Sequence, residues 1–392
     1  MSTKTITVIE FDYHAVVLRN FCKMIEGIDL KVNVFTNKSI WEKVDLYKNY
    51  KPENIELYIK HNQQPVKDFI KEKKSILDNS DYIIFNTIAS NFKLFSSLNY
   101  NSKIILRVHN ANTFFNNPLK AYCPKINPKY IFKDIYYTIF NIIIKREIYY
   151  RNNFLNKVNY FSFPNESIRK YAIHKYNIPT SKAIRIPFSF RSEKENIREE
   201  KQKTTITIIG KVDYRNRNYN IVLEAFKKIL KYDHQPIKLI FLGRTQSKYG
   251  KRIADRFSQL QSSKFEFLYF NEFVRLDDFK HYIEETDFLL LPIKKTTRYN
   301  IFCEKYGLTK ISGAIDDVIS YKKPGLIISG YPLEKDLNKI LETFNNETDL
   351  ANKITNWITS EKYKKLDIEE SLENYTLDHL QKSFLSIINN LK

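Results

Sequence analysis

TITIIGKVDYRNRNYNIVLEAFKKIL, residues 205–230, holds the reading that decides the fold. A β-branched run starts at Thr205 and stops at Gly210. A polar, cationic loop follows to Asn218, and from Tyr219 to Leu230 apolar residues return at helical spacing. A buried strand, a glycine-ended turn and an amphipathic helix make one repeat of a parallel α/β sheet.

Working outward, the same alternation continues on both sides. Downstream, strands are predicted at Ile237–Leu242, Phe265–Tyr269, Phe288–Pro292 and Gly325–Ser329, with helices at Lys251–Gln261, Leu276–Glu285 and Ile315–Tyr321. Upstream, Arg191–Lys203 is polar and reads as a linker. Before it lie strands Thr5–Phe11, Leu30–Thr36, Tyr82–Asn86, Lys103–His109, Tyr160–Pro164 and Ala183–Pro187, with helices Ala15–Ile25, Pro65–Leu77 and Ile131–Asn153. The expected fold class is α/β, as two doubly wound Rossmann-like domains facing a central cleft. The divisions are 1–190, a linker 191–203, a second domain 204–375, and a terminal helix 376–392 expected to pack back on the first domain.

The chain of 392 residues is longer than one core usually organises, and its 43% hydrophobic content argues against wholesale disorder. No stretch reaches the roughly 18–20 apolar residues of a membrane span. The start carries Glu10 and Asp12 within its apolar run and does not read as a secretory signal. Three cysteines, Cys22, Cys123 and Cys303, stand far apart and read as free thiols, so a cytoplasmic location is expected. The net charge of +20 calls for an anionic partner.

Seven of the eight glycines fall after Lys203, and two of them, Gly210 and Gly243, end strands. A residue without Cβ at that place lets backbone approach a phosphate, so the second domain is the expected nucleotide binder. Lys211, Arg215 and Arg217, close to a helix start, suit a diphosphate; a solvated basic loop is the plain alternative. Glu304, Lys310, Ser312, Gly313, Asp316 and Asp317 form a second mixed cluster around one helix start. There the aspartates would otherwise only complement a helix dipole.

These features together resemble the donor-binding domain of GT-B glycosyltransferases, above all the large retaining "group one" family. The resemblance covers residues 160–392. It rests on Gly210-Lys211, the turn with Arg215 and Arg217, Leu223-Glu224-Ala225-Phe226, Phe241-Leu242-Gly243-Arg244, and Asp317 through Pro324 in place of a Glu-Ala-Met-Ala-x-Gly-x-Pro run. It implies that Lys211 and Arg217, with Arg215 and Arg244, hold the diphosphate. Asn271 and Phe273 would lie at the base-contacting turn, Lys310, Ser312 and Gly313 near phosphate, and Asp317 on the donor ribose. The family's first glutamate would fall at position 309, which is Thr309 here, so Glu304 is its expected substitute.

In the first domain, strand Ile104–Val108 leads into His109-Asn110 where the family has His-Asp, and the first loop reads Glu10-Phe11-Asp12-Tyr13-His14. His109, His14 and Asp12 are the candidates for orienting a sugar hydroxyl or accepting a proton, against the alternative of structural histidines. Arg107 is expected on the opposite face of its strand from His109.

Residues 120–160 mix Lys and Arg with Tyr, Phe and Ile, and suit either an anionic membrane surface or a core helix with a basic rim. Nucleic acid is disfavoured, since no helix-turn-helix, zinc, RNP-type or KH-type signature is present. The expected function is transfer of a sugar from a nucleotide-sugar donor to a glycan or lipid-linked acceptor, in bacterial surface polysaccharide or glycoconjugate synthesis. The donor is substrate, no cofactor is expected, and no Asp-x-Asp stands at a strand end to hold a metal. Peripheral attachment to the inner face of the cytoplasmic membrane would fit. The alternatives are a nucleotide-sugar epimerase of the same fold and a degenerate GT-B binding module.

Overall fold

A computed structural model describes residues 3–44, 53–117, 122, 128–193 and 202–391. Its contacts divide the chain into two compact units. One comprises Met1–Ser189, Arg298–Glu304 and Leu380–Lys392; the other comprises Phe190–Thr297 and Lys305–His379.

The first unit is built on a seven-stranded sheet in the order β3-β2-β1-β4-β5-β6-β7. The strands are β1 (Lys4–Glu10), β2 (Leu30–Asn37), β3 (Ile55–Lys60), β4 (Tyr82–Phe85), β5 (Lys103–Arg107), β6 (Tyr160–Phe163) and β7 (Ala183–Arg185). Every pairing is parallel. β4 is buried throughout and β1 over its last five residues, which is what helices on both sheet faces demand. Helix Ala15–Ile25 supplies Leu18, Phe21, Cys22 and Ile25 to that core. Phe21 meets Phe384 of the terminal helix Leu377–Asn390 edge to face at 5.4 Å, and Gln381 donates to the Glu26 carbonyl at 2.9 Å.

The second unit carries a six-stranded sheet in the order β10-β9-β8-β11-β14-β15. Its strands are β8 (Thr204–Ile209), β9 (Ile237–Arg244), β10 (Phe265–Phe270), β11 (Phe288–Leu291), β14 (Gly325–Ile328) and β15 (Leu341–Phe344), again parallel. Neighbouring residues part to opposite faces. Ile208 and Phe241 join one core with Phe226 and Trp357, while Ile209, Ile240 and Leu242 join another with Ile315 and Val318. Trp357 also donates from Nε1 to Glu342 at 2.7 Å, so its single polar atom is satisfied. A ribbon of β12 (Thr296–Tyr299) and β13 (Phe302–Lys305) leaves this unit, and its tip, Arg298–Glu304, clusters with the first. Asn300 turns the ribbon at φ 48°, a conformation Asn tolerates better than most residues.

Several elements differ from expectation. The stretch Ile131–Asn153 is not one helix. It runs as helix Pro128–Tyr136, a π-helical segment Tyr137–Ile144, and helix Glu147–Leu155, broken where Arg146 takes φ 50°. Pro65–Leu77 likewise divides at Lys73. Cys22 is a free buried thiol, pushed up to about 12 by burial, but Cys303 is disulfide-bonded, which corrects its reading as a free thiol. Cys123 lies outside the described residues.

Gly243 sits where a Cβ would come within 2.4 Å of the Gly210 carbonyl carbon and oxygen. β8 and β9 therefore end backbone to backbone. Gly243→Ala should lower second-unit stability by roughly 1–3 kcal/mol, since the obstacle is backbone and does not swing aside. Urea unfolding in a Trp41→Phe background, followed by Trp357 fluorescence, measures it, and an unchanged midpoint would contradict the tight approach.

Candidate functional site

In an open parallel sheet, ligands collect where successive connections leave the central strands in opposite directions. The second unit reverses between β8 and β11, so the loop after Ile209 and the segment after Leu291 flank its switch point. These two pieces pair: Arg217 bridges to Ile293, Asn218 N donates to the Pro292 carbonyl at 2.8 Å, and Lys294 N to that of Asn216 at 3.0 Å. The Arg217 guanidinium lies across Gly210 and donates to the Ile209 carbonyl. Gly210 itself takes φ +99°, a backbone conformation that favours glycine; a Cβ there would stand 2.8 Å from the mobile end of the Arg217 side chain.

Asp317, in helix Gly313–Tyr321, belongs to the same place. Burial pushes its carboxyl up to about 7, the neighbouring Asp316 adds to this, and the positive charge of Arg217 opposes it. Ser312 caps that helix, accepting from Ala314 N. Gly313 is exposed beside it, and Lys310 is half-buried with its carbonyl accepting from Gly307 N at 2.7 Å. Asn216 Oδ1 accepts from Thr297 and Tyr306, both at 3.2 Å, which fixes the loop from below.

The other donor-site candidates divide. Lys211 is exposed on the Gly210 loop. Arg215 is held by Asp213 in a bidentate pair, Nε to Oδ1 3.0 Å and Nη2 to Oδ2 2.6 Å. Burial pushes the Asp213 carboxyl up, but Arg215 outweighs it and holds it below the usual range. Part of the Arg215 charge is thus spent within the loop. Arg244 is exposed at the end of β9, and Asn271 lies on the next loop beside Thr245. Phe273 is 83% exposed.

The first unit reverses between β1 and β4, and here too polar residues gather at the strand ends. His14 stacks on His109 with ring centroids 3.9 Å apart, and Phe188 lies on the other side of His109 at 4.5 Å. His109 Nε2 is 2.8 Å from the Asn86 carbonyl, which only accepts, so Nε2 carries a proton. Asp12 accepts from Ala89 N at 2.8 Å and Ser90 Oγ at 2.7 Å, tying the first loop to the one after β4. A narrow cavity of about 30 Å³ opens here, lined among others by His14, Thr87, His109 and Thr113.

Beneath the histidines runs a network that sequence reading missed. Glu10 ends β1 fully buried; it accepts from Asp12 N at 2.9 Å and from Asn86 Nδ2 at 2.6 Å. Asn86 in turn accepts from Arg107 Nη1 at 2.7 Å, and Arg107 Nη2 donates to the Pro187 carbonyl at 3.1 Å. Burial pushes Glu10 up to about 7 despite hydrogen bonds from Thr87 and Asn86. Arg107 and His109 both reach Asn86, correcting their placement on opposite faces: residues two apart on an extended chain share a face. The one available signal was a charged residue ending each of two apolar strands.

Glu304 belongs to the first unit and not to the Arg217 cluster. Its buried carboxylate accepts from Thr113 N at 2.8 Å and Thr113 Oγ1 at 2.7 Å, anchoring the start of helix Ala111–Phe115. Position 309, the other place considered for that glutamate, is a buried Thr309 whose Oγ1 accepts from Lys305 N at 2.7 Å. Among the described residues, no group of three or more His, Cys, Asp and Glu is arranged to hold a metal ion.

No family model matches the chain, and no curated protein matches it in sequence. Solved structures do match over both units. HepE from Anabaena, in complex with UDP and glucose, is 11% identical with a TM-score of 0.59, over 99% of this chain and 100% of that one. The N-terminal domain of Candida albicans trehalose-6-phosphate phosphatase is 14% identical with a TM-score of 0.65, over 100% and 97%. A putative UDP-N-acetylglucosamine 2-epimerase from Listeria monocytogenes is 8% identical with a TM-score of 0.51, over 99% and 96%. At such identities the likeness shows the fold: paired Rossmann-like domains of the GT-B class.

Glu10 makes the first unit sensitive to pH. Its folded pKa, about 7, stands above the 4.5 of an unperturbed glutamate, so the folded state keeps a proton that the unfolded chain releases between those values. Stability should therefore fall as pH rises from about 4.5 to 7, by up to about 3 kcal/mol. Glu10→Gln should flatten the dependence, as read from denaturation midpoints at pH 5 and 8; an equally steep variant would remove Glu10 as the cause.

Proposed function

We propose that the chain is a glycosyltransferase that takes a hexosyl or related sugar from a nucleoside-diphosphate donor and passes it to a glycan or lipid-linked acceptor. The observation that carries this reading is the Arg217 guanidinium lying across Gly210 at the second unit's switch point, with Asp317 beside it. That arrangement gives a diphosphate a fixed cation and an approachable backbone, and gives a ribose a carboxyl poised near neutrality. As the glycosidic bond breaks, charge grows on the leaving diphosphate, and Arg217 with Lys211 would stabilise it there. The acceptor side falls to the first unit, where His109, its Nε2 bonded to the Asn86 carbonyl, lines a cavity with His14 and Thr113. Bacterial surface polysaccharide or glycoconjugate synthesis is the role we assign.

An epimerase reading has one support, the fold likeness to a putative UDP-N-acetylglucosamine 2-epimerase. It differs in consuming nucleotide-sugar without an acceptor.

Titration calorimetry with UDP, GDP, dTDP, CMP and ADP should find one preferred nucleotide. Arg217→Ala should weaken it by about tenfold or more, that is ~1.4 kcal/mol, and unchanged affinity would overturn the donor site. Asp317→Ala should weaken the nucleoside diphosphate while leaving inorganic pyrophosphate binding as it was. Equal losses for both ligands would refute the ribose assignment.

A further inference from the structure

The segment from Ile131 to Arg146 is amphipathic the wrong way round for a core helix. Phe132, Ile135 and Tyr136 in the α-helical part and Ile139, Phe140 and Ile143 in the π-helical part are all exposed, and form an apolar stripe. That stripe faces out: Phe132 is 74% exposed and Ile143 63%. No residue of Tyr137–Ile144 is buried. The inward side is the more polar one. Asp134 pairs with Arg298, and Tyr137 donates to Glu147 at 2.7 Å. Tyr137 and Ile142 pack inward, against Ile301 and Phe302.

We infer that this face docks on an anionic lipid bilayer. Exposed apolar surface of this extent needs a cover, and the charges beside it select one. Lys133, Lys145 and Arg146 are exposed at its rim, while the only carboxylates in the segment and its first neighbour, Asp134 and Glu147, are engaged as described. Tyr136, at the edge of the stripe, stacks on Phe140 at 5.3 Å, and Lys145 Nζ stands 4.7 Å from the Phe140 centroid. Aromatic rings beside cations are the composition of an interfacial helix. A cleft of about 740 Å³ opens alongside, with Lys93, Lys145 and Arg146 in its wall next to Phe92 and Ile144; these three cations outnumber its one carboxylate, Glu147, which is bonded to Tyr137, and suit a lipid phosphate. A second copy of the chain is the poorer cover, because a two-fold contact would set this cationic rim against itself. Among the described residues no helix is long and apolar enough to cross a membrane, so the segment lies on the surface. Docking needs no nucleotide and stands apart from the proposed reaction.

The test is co-sedimentation of the full chain with vesicles of phosphatidylcholine alone or mixed with phosphatidylglycerol. The protein should pellet with the anionic vesicles and be released by salt. Phe132→Ser with Ile139→Ser and Ile143→Ser should lose binding on the order of tenfold or more, and Lys133→Glu with Lys145→Glu should lose the preference for anionic lipid. Both variants should keep the wild-type melting profile and nucleotide response, which separates this result from any failure of the donor site. Wild-type protein left in the supernatant, or a serine variant that binds as well, would overturn the proposal. So would a concentration-dependent dimer that the serine substitutions dissociate.

Discussion

A parallel sheet covered on both faces leaves little room for polar chemistry except at the ends of its strands. Every position of β4, β8 and β11 is buried, so an unpaired charge there would be expelled or neutralised. Where strand order reverses, the connections diverge and the strand ends lose their cover. Both units place their dense polar clusters at that position: Arg217, Asp317 and Gly210 in one, Glu10, Asn86, Arg107 and the stacked histidines in the other. Topology chose the location, and the residues had only to be compatible with it.

The two clusters meet this constraint differently. In the second unit the backbone itself gives way: Gly243 lets β9 close on Gly210, and Gly210 in turn makes room for a guanidinium. In the first unit no glycine stands at the strand ends of this cluster, and the solution is a chain of hydrogen bonds. A buried guanidinium keeps its charge and must be surrounded by acceptors. Arg107 has Asn86, the Pro187 carbonyl, and the rings of Phe21 and Phe188 at 4.8 and 4.6 Å. Asn86 stands between Arg107 and Glu10, so the carboxyl never meets the cation directly. Loss of water then outweighs its bonds, and the carboxyl is left poised near neutrality. The loop bearing Asp12, Tyr13 and His14 hangs from that carboxyl through two backbone amides.

How much of this was legible in the sequence follows from how local each feature is. Helices Ala15–Ile25 and Leu276–Glu285 were legible to the residue, because their apolar spacing and boundaries are written in the segment itself. Strand Ile55–Lys60 was not: as an edge strand it is half exposed, and IELYIK lacks the continuous apolar run of its neighbours. The ribbon Thr296–Lys305 escaped because Asn300 makes its turn without glycine. Gly210, Arg217 and Asp317 were picked out by composition near predicted strand ends, and the structure does bring those three together. Glu304 was read with them because it is close in sequence, and no local pattern tells that a ribbon carries it into another unit. The Glu10–Asn86–Arg107 chain joins three strand ends and exists only once the sheet is ordered.

That same ribbon tip explains how the first unit tolerates its odd helix. An apolar stripe facing water gives a segment no reason to stay folded against its neighbours, so other contacts must hold it. Arg298 meets Asp134 on the inner side, Ile301 and Phe302 cover Tyr137 and Ile142, and Arg151 of the next helix stacks on Phe302 at 5.5 Å. From the same few residues, Tyr299 reaches Tyr13 in the histidine loop and Glu304 anchors helix Ala111–Phe115. The outward stripe and the histidine cavity are therefore fastened by one short piece of chain. A change that loosened the ribbon would free both, whereas a change on the stripe alone touches neither anchor. This is why serines at Phe132, Ile139 and Ile143 probe the exposed face without disturbing the chemistry beside it.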